Sequence, residues 1–306
     1  MDCKHLLLFL MLTLAGAGTD AASQPRPPAR KVLVIGLDGV RVDVLAQADT
    51  PHLDRLAAAG TFSAEAQTRM PTVSGPGWSS MVTGVWSDKH GVRGNDFSAN
   101  DYAAYPDFLT RLERIDPSFA TFAVLNWPPL GTAAAGGPMI SDTIDVKITL
   151  DGDSLGYDVA DARAVEWAVH HLATEAVDAA FVYLGNIDVV GHEAGSLAPA
   201  YRAAIETADA QVGRLVAALH RRPNYAGEDW LILMSTDHGR RDDGGHGGPS
   251  TLERRIFFLA SGPSVLTGTP ETPPEIVDVA VTALTHLGIA IDPAWKLDGR
   301  AVGLRP

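Results

Sequence analysis

Seven residues of this sequence have the types and placements needed for chemistry on a charged ester. Asp38 ends the run KVLVIGLDG, Asp188 and His192 stand four apart across a glycine in IDVVGHEAG, and Asp237 and His238 are adjacent in STDHG. His246 sits in GGHGG, and Ser74 occupies the Gly- and Pro-rich stretch RMPTVSGPGWSSMVTG. Carboxylate oxygen and imidazole nitrogen together suit zinc, with manganese or iron as other choices. They suit calcium poorly, because calcium prefers oxygen alone.

Each of these residues also has a plainer role. Asp38 can cap the helix that follows it, His246 can be an ordinary loop residue, and Ser74 can be the N-cap of a helix over 77–83. A charged Asp at the rim of a strongly apolar strand, as in STDHG, needs a partner, which favours a metal. Ser74 gains two benefits from its place before a helix. N–H groups at a helix N-terminus favour an anion, which makes Gly75 and Gly77, together with Asn95 in RGNDF, candidate phosphate contacts. A hydroxyl touching a divalent cation also loses its proton readily, turning a weak nucleophile into a strong one.

The elements that position these residues follow from the apolar pattern. Runs at 31–38, 121–126, 179–188 and 230–238 read as strands buried on both faces that end in polar residues. Helical patterns lie between them at 51–59, 105–115, 158–174, 199–220 and 275–287. Alternation of this kind predicts an α/β fold, a mostly parallel central sheet with helices on both faces, with ligands at the carboxyl edge of the strands.

A chain of 306 residues, 46% of them apolar, can bury one large core, so a single catalytic domain over 31–306 is expected. The net charge of −13 argues against binding a nucleic-acid backbone and leaves an anionic substrate in need of local compensation, which bound cations would supply. Lys4 before an apolar run over 6–17, then small residues, reads as a signal peptide over 1–22 and implies export to a periplasm or the medium. That run is shorter than the roughly 20 residues a permanent membrane span requires. The single cysteine, Cys3, falls in this leader, so the domain has neither a disulfide nor a thiolate site, and residues 23–30 form a Pro-rich linker.

Taken in order, LDG with Asp38, PTVSGPGWSSMVTG with Ser74, DKHGV with His90, IDVVGH with Asp188 and His192, and STDHG with Asp237 and His238 resemble the type I phosphodiesterase and nucleotide pyrophosphatase family of the alkaline phosphatase superfamily. The resemblance implies an alkaline phosphatase-like three-layer sandwich and hydrolysis of a small phosphate ester through a phosphoseryl intermediate. It implies two zinc ions, one held by Asp38, Asp237, His238 and the Ser74 oxygen, the other by Asp188, His192 and a further histidine. The family's nucleophile is a threonine followed by Phe, Pro and Asn, whereas this chain has Ser74, Gly75, Pro76 and Gly77, so an amide that contacts the phosphoryl group is missing. The last histidine departs as well: His246 follows His238 closely, while the one later histidine, His286, lies in the apolar helical pattern VAVTALTHLG. His246 is therefore the choice, and His90 reads as structural.

Three other readings stand beside this one. A phosphomonoesterase would need a cationic clamp, for which Arg41, Arg93, Arg240 and Arg241 lie near the motifs. A sulfatase would need Arg where Trp78 stands. A domain that only binds metal would need a degraded site. Trp78, Phe97, Tyr102 and Trp127 either fill the core or stack on a substrate.

Overall fold

The run beginning near Lys31 forms the central strand β1, Ala29–Leu37, with side chains that alternate between two apolar layers: Val32 and Val34 face one, Leu33, Ile35 and Leu37 the other. The computed structural model describes residues 27–306, so the expected leader and residues 23–26 lie outside the described residues. Six further strands complete one sheet: β2 Thr61–Gln67, β3 Thr121–Leu125, β4 Val146–Thr149, β5 Ala179–Leu184, β6 Glu228–Ser235 and β7 Arg255–Ser261. Their order is β2-β7-β6-β1-β5-β3-β4. β1 pairs in parallel with β5 and β6, and β3 pairs in parallel with β4 and β5, while β7 runs antiparallel to both β6 and β2.

One layer packs helices Ser74–Thr83, Phe108–Ile115 and Asp278–His286 on the sheet. The other packs Pro51–Ala59, Tyr157–Thr174, Asn186–Ala194 and Pro199–His220. Burial on both faces is why β1, β5 and β6 carry unbroken apolar runs. Among the described residues no helix is long and apolar enough to cross a membrane.

The sequence pattern located β1, β3, β5 and β6 and the five long helices, with ends shifted by a few residues. It did not mark β2, β4 or β7. The run at 179–188 ends as a strand at Leu184, and a helix, Asn186–Ala194, takes the place of the glycine turn expected around Gly191. Gly191 lies inside that helix, which puts Asp188 and His192 on one face, one turn apart.

The helix is anchored by Asp161, whose carboxylate accepts from Gly185 N–H at 2.9 Å, Asn186 N–H at 3.0 Å and the Asn126 amide at 2.6 Å. Burial raises the Asp161 carboxyl to about 7 against these bonds. A carboxyl raised in the folded state stabilises most below its unfolded value, and that contribution is lost as pH rises through the folded one. Thermal unfolding of the wild type should therefore show stability falling between about pH 4 and 7, and Asp161→Asn should flatten that slope.

Candidate functional site

β1 sits between β5 and β6 and is parallel to both, so the carboxyl ends of the three strands lie together at one edge of the sheet, where open α/β folds bind ligands. Asp38 follows β1, Asp188 rides the first turn after β5, and Asp237 and His238 follow β6. Gly39, at φ +66°, turns the chain away behind Asp38, and its N–H donates to Asp237 Oδ1 at 3.1 Å.

Asp38, Asp237 and His238 form one group whose donor atoms converge. Asp38 is 2% exposed, and Asp237 and His238 are fully buried. Asp38 Oδ2 accepts from Trp78 Nε1 at 2.9 Å and from the Tyr183 hydroxyl at 2.6 Å, leaving Oδ1 without a partner. Asp237 Oδ2 has none either. Burial, then the Asp38 charge, drives the Asp237 carboxyl well above the usual carboxylate range. Two buried carboxylates, each with an orphaned oxygen, are costly alone and well suited to a shared cation. His238 completes the set: Nδ1 lies 3.1 Å from Gly239 O, so it carries the proton, and Nε2 presents its lone pair 3.2 Å from Asp237 Oδ2 and 3.7 Å from Asp38 Oδ1. Burial lowers the His238 imidazole, favouring the neutral, ligating form.

Asp188, His238 and His246 form a second converging group, so His238 is common to both, and the expected His192 lies beside it. His192 Nε2 lies 3.4 Å from Asp188 Oδ2 and 2.9 Å from His246 Nε2, and His246 Nε2 lies 3.7 Å from Asp188 Oδ1. His246 donates from Nδ1 to Thr72 O at 2.8 Å and stacks on His238 with ring centroids 3.7 Å apart. Burial first, then His238, pulls its imidazole down to about 3. Its glycine-rich loop is held in one course: Glu253, in a capping box with Ser250, accepts from Gly248 N–H at 2.8 Å, and Gly247 N–H donates to Thr72 Oγ1 at 2.9 Å. Thr72 thereby ties this loop to the turn that carries Ser74.

Ser74 is the first residue of helix Ser74–Thr83, and Val73 stands at the N-cap position without a side-chain cap bond, so Ser74 is not the cap that the sequence left open. Its Oγ lies 3.3 Å from His238 Nε2, at the edge of the first group. The donors expected at Gly75 and Gly77 are used inside the protein. Gly75 N–H donates to Asn95 Oδ1 at 2.9 Å, and Gly77 N–H to Val73 O at 3.0 Å. Gly77 serves packing, since a Cβ there would lie 2.8 Å from Asp237 Cβ and 3.0 Å from Asp237 O. Gly77→Ala should push helix Ser74–Thr83 off the end of β6, costing about 1–3 kcal/mol of stability and lowering activity disproportionately, as paired thermal melts and turnover assays would read.

Asn95 keeps its place at the site, lining a cavity of about 190 Å³ with Ser74, Asp38, Asp188, Trp127, Asp153 and Tyr157. Among the described residues no Lys or Arg lines it. Arg41 pairs with Asp43 and Asp242, Arg241 with Glu253 and Asp243, and Arg240 with Asp188. His90 is buried against Ser80 Oγ at 3.0 Å, and His286 against Asp229 O at 2.9 Å. Trp78 and Phe97 are core residues, and Tyr102 bonds Ser79. Trp127 alone of the four aromatics reaches the cavity.

Sequence reasoning missed Tyr183 and Thr72, and it named Trp78 and Arg240 without their contacts: Tyr183 and Trp78 bond Asp38, Thr72 bonds His246 and Arg240 bonds Asp188. Only Arg240, directly after DHG, carried a signal through its position.

The family model for "Type I phosphodiesterase / nucleotide pyrophosphatase" matches residues 32–242. Human ectonucleotide pyrophosphatase/phosphodiesterase family member 5 is 25% identical over 250 residues, covering 78% of this chain and 50% of that protein. Human member 7 is 24% identical over 254 residues, covering 76% and 53%. The chain thus spans about half the length of these relatives. Among solved structures, murine member 5 superposes with a TM-score of 0.67 at 17% identity, over 86% of this chain and 96% of that one. A phosphonate monoester hydrolase from Silicibacter pomeroyi gives 0.66 at 16%, over 89% and 76%. These structural likenesses establish the alkaline phosphatase-like α/β fold, and with the family match over most of the described residues, the chain belongs to the type I phosphodiesterase / nucleotide pyrophosphatase family.

Proposed function

We propose that this protein hydrolyses phosphodiesters with Ser74 as the nucleophile. The observation that carries the reading is the convergence of Ser74 Oγ, His238 Nε2 and the two orphaned carboxylate oxygens, Asp38 Oδ1 and Asp237 Oδ2. Asp38, Asp237, His238 and Ser74 would hold one divalent cation, and Asp188, His192 and His246 a second. The mixed oxygen and nitrogen donors favour zinc. When bound, the cations supply Lewis acidity, lowering the pKa of the Ser74 hydroxyl and offsetting charge on the phosphoryl oxygens.

The chain's own residues then divide the work. Ser74 Oγ attacks phosphorus in line with the leaving oxygen, which departs with the bonding pair and gives a phosphoseryl intermediate. Water attacks from the vacated side, the Ser74–phosphorus bond breaks, and the monoester leaves. Trp78 and Tyr183 keep Asp38 oriented, and the carbonyls of Gly239 and Thr72 hold both histidines in the ligating tautomer. Asn95, with its carbonyl committed to Gly75, turns its amide N–H groups to the cavity as phosphate donors.

The cavity's charge favours a diester over a monoester, because no cationic clamp lines it for the extra negative oxygen. Asp153, bonded by the Tyr157 hydroxyl at 2.9 Å and lining the same cavity as Trp127, suits an uncharged or cationic ester group better than an anionic one. A sulfatase reading loses support from Trp78, which is buried on Asp38 where that chemistry needs Arg.

The test is metal content of the purified protein together with hydrolysis of bis-nitrophenyl phosphate and nitrophenyl phosphate in one zinc-replete buffer. Bound zinc with preference for the diester supports the reading. Preference for the monoester, or a metal-loaded protein inert to both, sinks it.

A further inference from the structure

Arg240 is fully buried, and its guanidinium reaches three of the segments that bear candidate ligands. Nε donates to Gly39 O at 3.1 Å beside Asp38, Nη1 to Gly244 O two residues before His246, and Nη2 to Asp188 Oδ1. Room for it is built in. A Cβ on Gly39 would lie 2.8 Å from Nη2, and one on Gly191 would lie 2.7 Å from Cζ. Gly244, at φ +85°, passes so close to Gly191 O that it too admits no side chain. Two glycines on two segments, Gly39 and Gly191, clear the place of the guanidinium, and among the described residues no other Lys or Arg bonds a candidate ligand.

The consequence is an imbalance of charge between two adjacent cation positions. The first has two carboxylates, a neutral imidazole and no basic side chain bonded to either carboxylate, a formal charge of −2 counted from Asp38 and Asp237. The second has one carboxylate, Asp188, already paired with the permanent charge of Arg240, a formal sum of zero, with two imidazoles. One oxygen of Asp188 is committed to the guanidinium, and the His192 side chain is 50% exposed to water. Resting on the ligand assignment above, we infer that Arg240 makes the two positions unequal: the Asp38, Asp237 and His238 position binds its cation tightly, and the Asp188, His192 and His246 position binds weakly and exchanges.

A like charge within a few ångström of a divalent cation, at the effective dielectric of a protein interior, weakens binding by well over tenfold, and the three backbone and carboxylate bonds hold Arg240 where it cannot swing away. Its gain is orientation, since the planar fork fixes Asp188 relative to Gly39 and Gly244.

The experiment is stepwise zinc titration of metal-free protein against a chromophoric chelator, with zinc per chain measured after gel filtration. Wild type should retain about one zinc and bind a second at least about tenfold more weakly. Arg240→Met, which keeps length and loses charge, should tighten the second step by about tenfold or more, while Arg240→Lys should leave it weak. Two steps of equal affinity in the wild type overturn the inference, as does a second step in Arg240→Met no tighter than in the wild type. If Arg240→Met does not fold, Arg240→Gln, which also removes the charge, decides in its place by the same titration. A wild type that binds no zinc and hydrolyses neither nitrophenyl ester defeats the proposed function itself, whereas two equal sites in an active enzyme defeat only the role of Arg240.

Discussion

If Ser74 is the nucleophile as proposed, Ser74→Ala should lose diester hydrolysis by on the order of a thousandfold or more, while its melting temperature and zinc content should stay close to wild type. Removing a nucleophile deletes the first covalent step, and what remains is direct attack by water, helped only by positioning and charge. Little in the fold depends on the hydroxyl: its one hydrogen-bond partner among the described residues is His238 Nε2 at 3.3 Å, and Val73 stands at the N-cap position of the helix. The measurement is single-turnover hydrolysis of bis-nitrophenyl phosphate beside thermal unfolding and metal analysis. Turnover at the wild-type rate in Ser74→Ala removes Ser74 from the nucleophile role and hands attack to water, with the cation groups left in place.

On the proposed ligand assignment, stripping metal from the wild type with a chelator should abolish turnover and lower the melting temperature by on the order of 5–10 °C, because a ligand bound only by the folded chain stabilises it by several kcal/mol when present well above its dissociation constant. Asp237→Asn reverses the sign of one part of this. In the metal-free state it melts higher than metal-free wild type, since it removes one of two facing carboxylates that burial and mutual repulsion make unfavourable. Added zinc then stabilises the variant far less than wild type. Differential scanning calorimetry of both proteins, with and without zinc, reads all four states. A metal-free Asp237→Asn that melts below metal-free wild type would mean that the two carboxylates are compensated by something other than a cation.

Much of the fold and of the site is legible along the chain. Strands buried on both faces write long apolar runs, so β1, β3, β5 and β6 stand out, and their carboxyl ends mark the ligands. β7, RIFFLAS, is equally apolar but returns antiparallel with no chemistry at its end. β2, TFSAEAQ, mixes Ala and Glu with exposed positions, and β4 is four residues long with a Lys inside it. Edge strands need less apolar surface than central ones, so their pattern is weak. The helix bearing Asp188 is hidden by Gly191, which reads as a turn signal until Arg240 is seen to require a residue without Cβ there.

Local sequence determined the types of the donors and the element each one ends, because hydrophobic periodicity and the polar residue that terminates it act over a handful of positions. Tertiary structure alone decided which candidate donors converge, that Gly77 packs against Asp237, that Val73 and not Ser74 stands at the N-cap position, and that Arg240 bonds Asp188. Those outcomes depend on contacts between β1, β5, β6 and the loop of His246, segments up to about two hundred residues apart, as in the bond of Gly39 to Asp237 and of Arg240 to Gly39. Close packing and electrostatic pairing at such separations leave no periodic trace along the chain.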